Sequence, residues 1–255
     1  MQPVTRALLI LFLLCLFPFG AVADENISLK LSYVFLSPDG QFASTESGTI
    51  NTEIDLEDDL DFDDSEELTA EAAFQFGSFR LAVGYLPLDF SGTSVLDRTI
   101  IFEGEVFPIS DTVKGEIDID IYDVGLTWNL LNLDDLPVRI QAGPELSVKV
   151  VDGEVSLSSQ TNNFREKISG TIPVPTIGLR ARLGIADYLA LIGRAGYMSY
   201  SDNSFLDADA QIEFSPLPMV GIFGGYRYLD LDVDESDLFI DATFSGPYAG
   251  AFLRF

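Results

Sequence analysis

The sequence predicts an all-β chain: an antiparallel up-and-down transmembrane β-barrel of about ten strands, with eight or twelve as the neighbouring solutions. Three observations carry this. Apolar residues recur with a period of two in segment after segment, and successive strand side chains point to opposite faces. Short connections alternate with long polar ones, as they do where strands cross a bilayer and turn back. The chain is also both greasy and charged. It is 47% hydrophobic with a formal net charge of −27, so the two kinds of residue must be separated in space. Beyond the N-terminal segment, no apolar run reaches the roughly 18 residues that would mark a membrane-spanning helix.

The first element stands apart from the barrel. Arg6 precedes an apolar run from Ala7 to Phe17, Pro18 and Gly20 break it, and Ala21-Val22-Ala23 puts small residues at −3 and −1. This is the three-part pattern of a cleaved secretory signal peptide. Residues 1–23 are expected to be removed, leaving 24–255 as the barrel with acidic external loops. The only cysteine, Cys15, lies in the removed segment, and the Leu14 before it argues against lipid attachment.

The strands follow in order. Ile27, Leu29, Leu31, Tyr33 and Phe35 share one face, opposite Ser28, Lys30 and Ser32. Leu68 to Phe76 and Phe79 to Tyr85 repeat the pattern around Gly77-Ser78. Tyr122, Val124, Leu126 and Trp128 oppose Asp123 and Thr127; Val138 to Val148 opposes Arg139, Gln141, Glu145 and Lys149. Ile177 to Leu183 opposes Arg180 and Arg182, and Leu189 to Tyr197 opposes Arg194. Ala208 to Phe214 opposes Asp207, Asp209, Gln211 and Glu213, and Val220 to Tyr228 opposes Arg227. The last segment runs from about Leu238 to Phe255, with a bend or bulge expected at Gly246-Pro247. The stretches 38–66, 91–115, 152–170, 202–206 and 232–237 read as the long loops. Asp118 and Asp120 alternate with Ile117, Ile119 and Ile121, which suggests a strand prolonged beyond the membrane, and 98–121 could add an external hairpin.

A water-soluble β-sandwich or barrel would also alternate, and periodicity does not tell inside from outside. The aromatic residues decide for the membrane. Phe76, Phe79, Trp128, Tyr188, Phe214 and Phe255 sit beside short turns or the terminus. Tyr33, Phe35, Tyr85, Tyr197, Tyr226 and Tyr228 sit near the long loops. Two such bands are interfacial girdles.

The C-terminus, Gly246-Pro-Tyr-Ala-Gly-Ala-Phe-Leu-Arg-Phe255, alternates to a terminal Phe. It resembles the insertion signal of Gram-negative outer-membrane β-barrel proteins. The resemblance implies that Leu253 and Phe255 are read by the barrel assembly machinery, and that outer-membrane lipid and lipopolysaccharide surround the barrel. It implies no subfamily. Surface proteases of this class use a His-Asp pair with further acids, and its lipid-A-modifying acyltransferases and deacylases use His with Ser. The present chain has no histidine.

That absence also removes Ser-His-Asp and Cys-His catalysis and His-ligated zinc. Forty-one acids against 14 bases exclude a basic nucleic-acid face. Ser158, Ser159 and Lys167 share an expected loop, whereas a Ser–Lys catalyst needs a buried lysine. The expected inward face holds Lys30, Arg80, Arg139, Lys149, Arg180, Arg182, Arg194, Arg227 and Arg254. Glu71, Glu145, Asp207, Asp209, Glu213 and Asp241 could face them. Barrels near this size are filled by side chains, so a salt-bridged, plugged lumen is expected. No resident cofactor is expected. The acidic run Glu53–Glu67 reads as a solvated loop that could hold Ca²⁺ or Mg²⁺ loosely, with Asp59, Asp61 and Asp63 at alternate spacing as the candidate ligands. A second acidic tip comprises Asp230, Asp232, Asp234, Glu235 and Asp237.

The function expected from this reading is a non-enzymatic structural or surface-interaction barrel. The alternatives are a small cation-preferring channel behind an acidic mouth and, behind that, a His-free outer-membrane enzyme. Ligand and oligomeric state are not encoded legibly.

Overall fold

The computed structural model describes residues 27–46, 49–50, 52–133, 138–201, 203–217, 219–235 and 238–255; the signal peptide expected over 1–23 lies outside them. Ten long strands form the wall: β1 (Ile27–Glu46), β2 (Ser65–Phe76), β3 (Phe79–Val95), β4 (Thr112–Trp128), β5 (Arg139–Ser159), β6 (Phe164–Ala186), β7 (Leu189–Tyr200), β8 (Asn203–Leu217), β9 (Val220–Glu235) and β10 (Leu238–Arg254). Each pairs antiparallel with the next, and β10 returns to β1 with Ser28 opposite Arg254 and Ser44 opposite Leu238. Closure leaves no edge to seek another partner. Ile27 and Phe255 exchange backbone hydrogen bonds at 2.9 and 3.1 Å, so the described chain zips shut at its final residue.

The outward band matches the sequence pattern. Leu81, Val83 and Tyr85 on β3, Tyr122, Val124 and Leu126 on β4, and Ile177 and Leu179 on β6 are exposed. At the short-turn end Phe74, Phe76, Phe79 and Trp128 stack in sequence, with centroids 5.7 to 6.0 Å apart. At the other end Tyr85 stacks on Tyr122 at 5.1 Å, and Tyr33 meets Phe35 edge-on at 5.1 Å.

Beyond the tyrosine girdle the strands continue with unchanged parity, and the polarity of the two faces inverts. On β3 the inward residues pass from Arg80 and Ala82 to Leu86, Leu88 and Phe90, all buried. On β4 they pass from Thr127 and Asp123 to Ile121, Ile117 and Val113, while the outward series passes from Tyr122 to Asp120 and Asp118. Two storeys result. The lower is polar inside and apolar outside, as lipid requires. The upper is apolar inside and acidic outside, as water requires.

This inversion corrects the long loops read from sequence. The stretch 152–170 is mostly strand: β5 and β6 pair from Arg139–Gly184 up to Ser159–Phe164, leaving a turn of four residues, 160–163. Residues 91–95 and 112–115 belong to β3 and β4, and 203–206 begin β8. At roughly 3.3 Å per residue, the β5–β6 hairpin runs about 30 Å along its strands beyond Val150.

Two connections fold inward. The β3–β4 connection carries a small hairpin, Ile100–Phe102 with Glu105–Phe107, whose turn residues Glu103 and Gly104 have φ of 49° and 76°. Positive φ at both central positions matches the right-handed twist of a tight hairpin. The β1–β2 connection makes a helical turn begun by Asp55, whose carboxylate accepts from the amides of Glu57 and Asp58 at 2.9 and 2.8 Å. Ile54, Leu56 and Leu60 from this turn, and Ile100, Phe102 and Phe107 from the hairpin, are 0–1% exposed within one apolar cluster. Each such side chain contributes roughly 1.5–3 kcal/mol relative to exposure. The acidic stretch is therefore not a free loop. Most of its acids stand outward while interleaved apolar residues plug the upper barrel.

Gly92 makes that packing possible: a Cβ there would lie 2.2 Å from the Leu60 carbonyl oxygen. Gly246-Pro247 is not a bulge. The register against β9 is continuous, and against β1 it resumes unchanged after two unpaired rungs. Proline lacks the donor for those rungs, and Gly246 lets the Phe35 carbonyl oxygen approach to 1.9 Å from where a Cβ would be.

Candidate functional site

The lower lumen is a network of charged and polar side chains borne by inward positions of all ten strands. Its upper centre is Asp207 on β8, 1% exposed, which accepts from Lys149, Arg194 and Arg227 at 3.0 Å each. Asp123 on β4 shares two of these cations, Lys149 at 3.0 Å and Arg194 at 2.9 Å. Glu145 on β5 stands 3.8 Å from Arg194 and accepts from the Thr127 hydroxyl at 2.6 Å. The lower centre is Glu213, also 1% exposed, which holds Lys30 and Arg182 at 3.0 Å and pairs with Arg254 as well. Arg80 pairs with Glu71 at 2.7 Å across β2 and β3. Tyr248 donates to Asp209 and, at 3.3 Å, to Gln211.

Of the residues proposed from sequence for this network, these twelve lie together: Lys30, Glu71, Arg80, Glu145, Lys149, Arg180, Arg182, Arg194, Asp209, Glu213, Arg227 and Arg254. Arg139 does not join its centre. It sits at the short-turn rim, half exposed, on exposed Asp187 at 3.0 Å. Asp241 is exposed and belongs to the upper storey. Sequence reasoning passed over Asp123 as a network acid and Tyr248 and Gln211 as its hydrogen-bonding members. Inward parity between Tyr122 and Val124 is the signal that would have found Asp123.

The lumen holds more cations than anions, the reverse of the chain as a whole. Two cavities open within it. One of about 80 Å³ lies among Glu71, Arg194, Asp209, Arg227 and Tyr248. The other, of about 640 Å³, reaches from Arg180 to turn residues Gly77, Ser78 and Tyr188. Above them the apolar plug fills the upper storey.

The acidic candidates do not gather. Asp59 is buried, and Arg98 grips both its carboxylate oxygens, one of them at 3.0 Å, while donating to the Glu53 carbonyl oxygen at 2.8 Å. Burial pushes the Asp59 carboxyl upward, but the Arg98 guanidinium and the Asp55 amide outweigh it and hold it below the ordinary carboxylate range. Asp61 and Asp63 are exposed. Among the described residues no group of three or more His, Cys, Asp or Glu side chains is placed to hold a metal ion. Arg98 thus ties the two plug connections together, a role that sequence gave no sign of. Leu253 and Phe255 lie on the outward face, 39% and 44% exposed.

No family model and no curated protein sequence matches the chain. Solved structures do. The outer membrane protease OmpT of Escherichia coli aligns with a TM-score of 0.61, over 93% of this chain and 99% of that one, at 11% identity. The fold is that of an outer-membrane β-barrel. The translocator domain of the autotransporter NalP from Neisseria meningitidis aligns at a TM-score of 0.47 over 99% of this chain and 95% of that one, at 11% identity. Ail, the attachment invasion locus protein of Yersinia pestis, solved with a heparin analogue, aligns at 0.41 over 90% and 99%, at 13% identity. At these identities the likeness concerns the fold alone, and the neighbours' activities differ among themselves.

Proposed function

We propose that this chain is an integral bacterial outer-membrane protein without enzymatic activity, a barrel closed to solutes from outside, which acts through the acidic upper storey it presents above the membrane. The supporting observation is the plug. Ile54, Leu56, Leu60, Ile100, Phe102 and Phe107 are essentially inaccessible and occupy the barrel where a pore would open. A dry apolar constriction resists ion entry. Below it the ion pairs of Asp207 and Glu213 add a second obstruction.

Two observations speak against the cation-preferring channel. The acidic stretch that was to form its filter is pinned over the mouth by Arg98, and the lumen beneath carries a cation excess. Catalysis of the histidine-dependent kinds is foreclosed by composition. Outer-membrane lipid would surround the apolar band, and the assembly machinery would read Leu253 and Phe255. Partners recruited by the upper storey would carry positive potential, matching Asp89, Asp118, Asp120 and Glu154 on its outward face. Planar-bilayer recording of the refolded mature protein tests the closed barrel: a silent bilayer is expected, and stable conductance steps would overturn it.

A further inference from the structure

The 640 Å³ cavity at the short-turn end lies within the size range of small-molecule pockets. Its walls carry Lys30, Arg80, Arg139, Arg180, Arg182 and Arg254, against Asp187 and Glu213 among the described residues. The excess is four positive charges, in a chain whose formal net charge is −27.

Most of these cations are already engaged. Glu213 holds Lys30, Arg182 and Arg254; Glu71 holds Arg80; Asp187 holds Arg139. Arg180 differs. It is 8% exposed, and no described carboxylate or hydrogen-bond acceptor lies within pairing distance. A guanidinium does not shed its proton, and a buried charge left unpaired is strongly unfavourable. Arg180 also lines the smaller cavity above, together with Lys30, Arg80 and Ile192, the other residues common to both walls. Three cations and one apolar side chain therefore ring the neck between the two spaces.

We propose that this neck is a binding site for a small organic anion, its phosphate or carboxylate group held by Arg180, Arg80 and Lys30, which enters from the short-turn end. The planar fork of Arg180 suits two oxygens of such a group, Lys30 supplies a point charge, and Ile192 offers an apolar wall to the carbon skeleton. The large cavity below leaves room for that skeleton. The site depends on the barrel and its lumen, not on the closed mouth or on any surface partner.

The test is isothermal titration of the folded mature protein in zwitterionic detergent, at constant ionic strength set with chloride. Pyrophosphate is the phosphate probe and succinate the carboxylate probe. Saturable one-to-one binding of either supports the site. Binding of pyrophosphate alone assigns phosphate chemistry, and binding of succinate alone assigns carboxylate chemistry. Arg180→Gln should weaken binding at least about tenfold, with Arg180→Lys intermediate and Arg165→Gln, in the upper storey outside both cavities, close to wild type. Removing an unpaired buried charge should not impair folding. If R180Q nevertheless fails to fold, R180K carries the comparison, alongside displacement of pyrophosphate by succinate followed through the phosphorus resonance. Failure of both probes to bind the wild type, or equal affinity in R180Q or R180K and wild type, overturns the proposal. A silent bilayer without anion binding would leave the closed barrel standing and remove only this site.

Discussion

Replacing Asp207 with Asn should cost the barrel about 3 kcal/mol of folding stability. The carboxylate is 1% exposed and takes Lys149, Arg194 and Arg227 at 3.0 Å. The loss is not three times that of one broken pair. Lys149 and Arg194 keep a second carboxylate, Asp123, at 3.0 and 2.9 Å. Arg227 has no other ion-pair partner among the described residues, and its Nε is already without an acceptor. One guanidinium, 15% exposed and opposite Asp209 across the strands, therefore loses its ion pair, which places the cost at the lower end of the roughly 3–5 kcal/mol seen when one member of a buried pair is removed. Asp123→Asn should cost less, because both of its cations remain on Asp207. The double variant D207N/R227M should recover part of the loss, with a coupling of about 2 kcal/mol between the two sites. The assay is equilibrium urea unfolding in phospholipid vesicles, followed by the fluorescence of Trp128, the chain's single tryptophan. A D207N change below about 0.5 kcal/mol with no coupling would refute the reasoning and mean that water, not Asp207, satisfies these cations.

Three further outcomes follow from other parts of the molecule. Gly92→Val should drive the β1–β2 connection off β3, costing about 1–3 kcal/mol and exposing 52–63 to protease, because the new Cβ meets the Leu60 carbonyl oxygen at 2.2 Å. Val83→Arg, at the lipid face, should cost about 2–4 kcal/mol in vesicles, whereas Asp118→Arg, on the outward face above the girdle, should stay within about 0.5 kcal/mol; urea titration reads both. The Asp59–Arg98 tie should weaken in acid. The Asp59 carboxyl is held below its ordinary value, so its contribution is full above pH about 4 and is lost as pH falls through the lower folded value. The protection of 52–63 against hydrogen exchange, taken relative to the intrinsic rate at each pH, should therefore fall at low pH in the wild type and be low at all pH in Arg98→Ala.

The wall was legible because two requirements imposed the same period. Lipid demanded an apolar outward series such as Leu81, Val83 and Tyr85, and the lumen accepted Arg80 opposite them. The same period hid the upper storey. On β5 Asp152 stands out while Val151, Val155 and Leu157 pack inward, so a search for outward apolar residues finds none and takes 152–170 for a loop; only Asp118 and Asp120, alternating with Ile117, Ile119 and Ile121, showed a strand running on above the membrane. The plug was hidden by composition: Ile54, Leu56 and Leu60 are outnumbered by their acidic neighbours, and only the closed barrel reveals the apolar space they fill. In the lumen, parity selected the cations well. It did not choose their partners, since pairing depends on which strands face one another across the barrel. Arg194 on β7 meets Asp123 on β4, 71 residues away, a relation that no local pattern encodes.

Paired cysteine labelling would test the two-storey barrel most directly. Residues 24–255 contain no cysteine, Cys15 being the single one in the sequence. The single substitutions Ile117→Cys and Asp118→Cys place thiols at adjacent positions of β4, one inside the apolar upper storey and one on its outer face. With the folded protein in vesicles, a water-soluble maleimide should label the D118C variant rapidly and leave the I117C variant unmodified until the barrel is unfolded. Equal labelling of the two variants in the folded state would contradict the plugged upper storey and the closed lumen that rests on it.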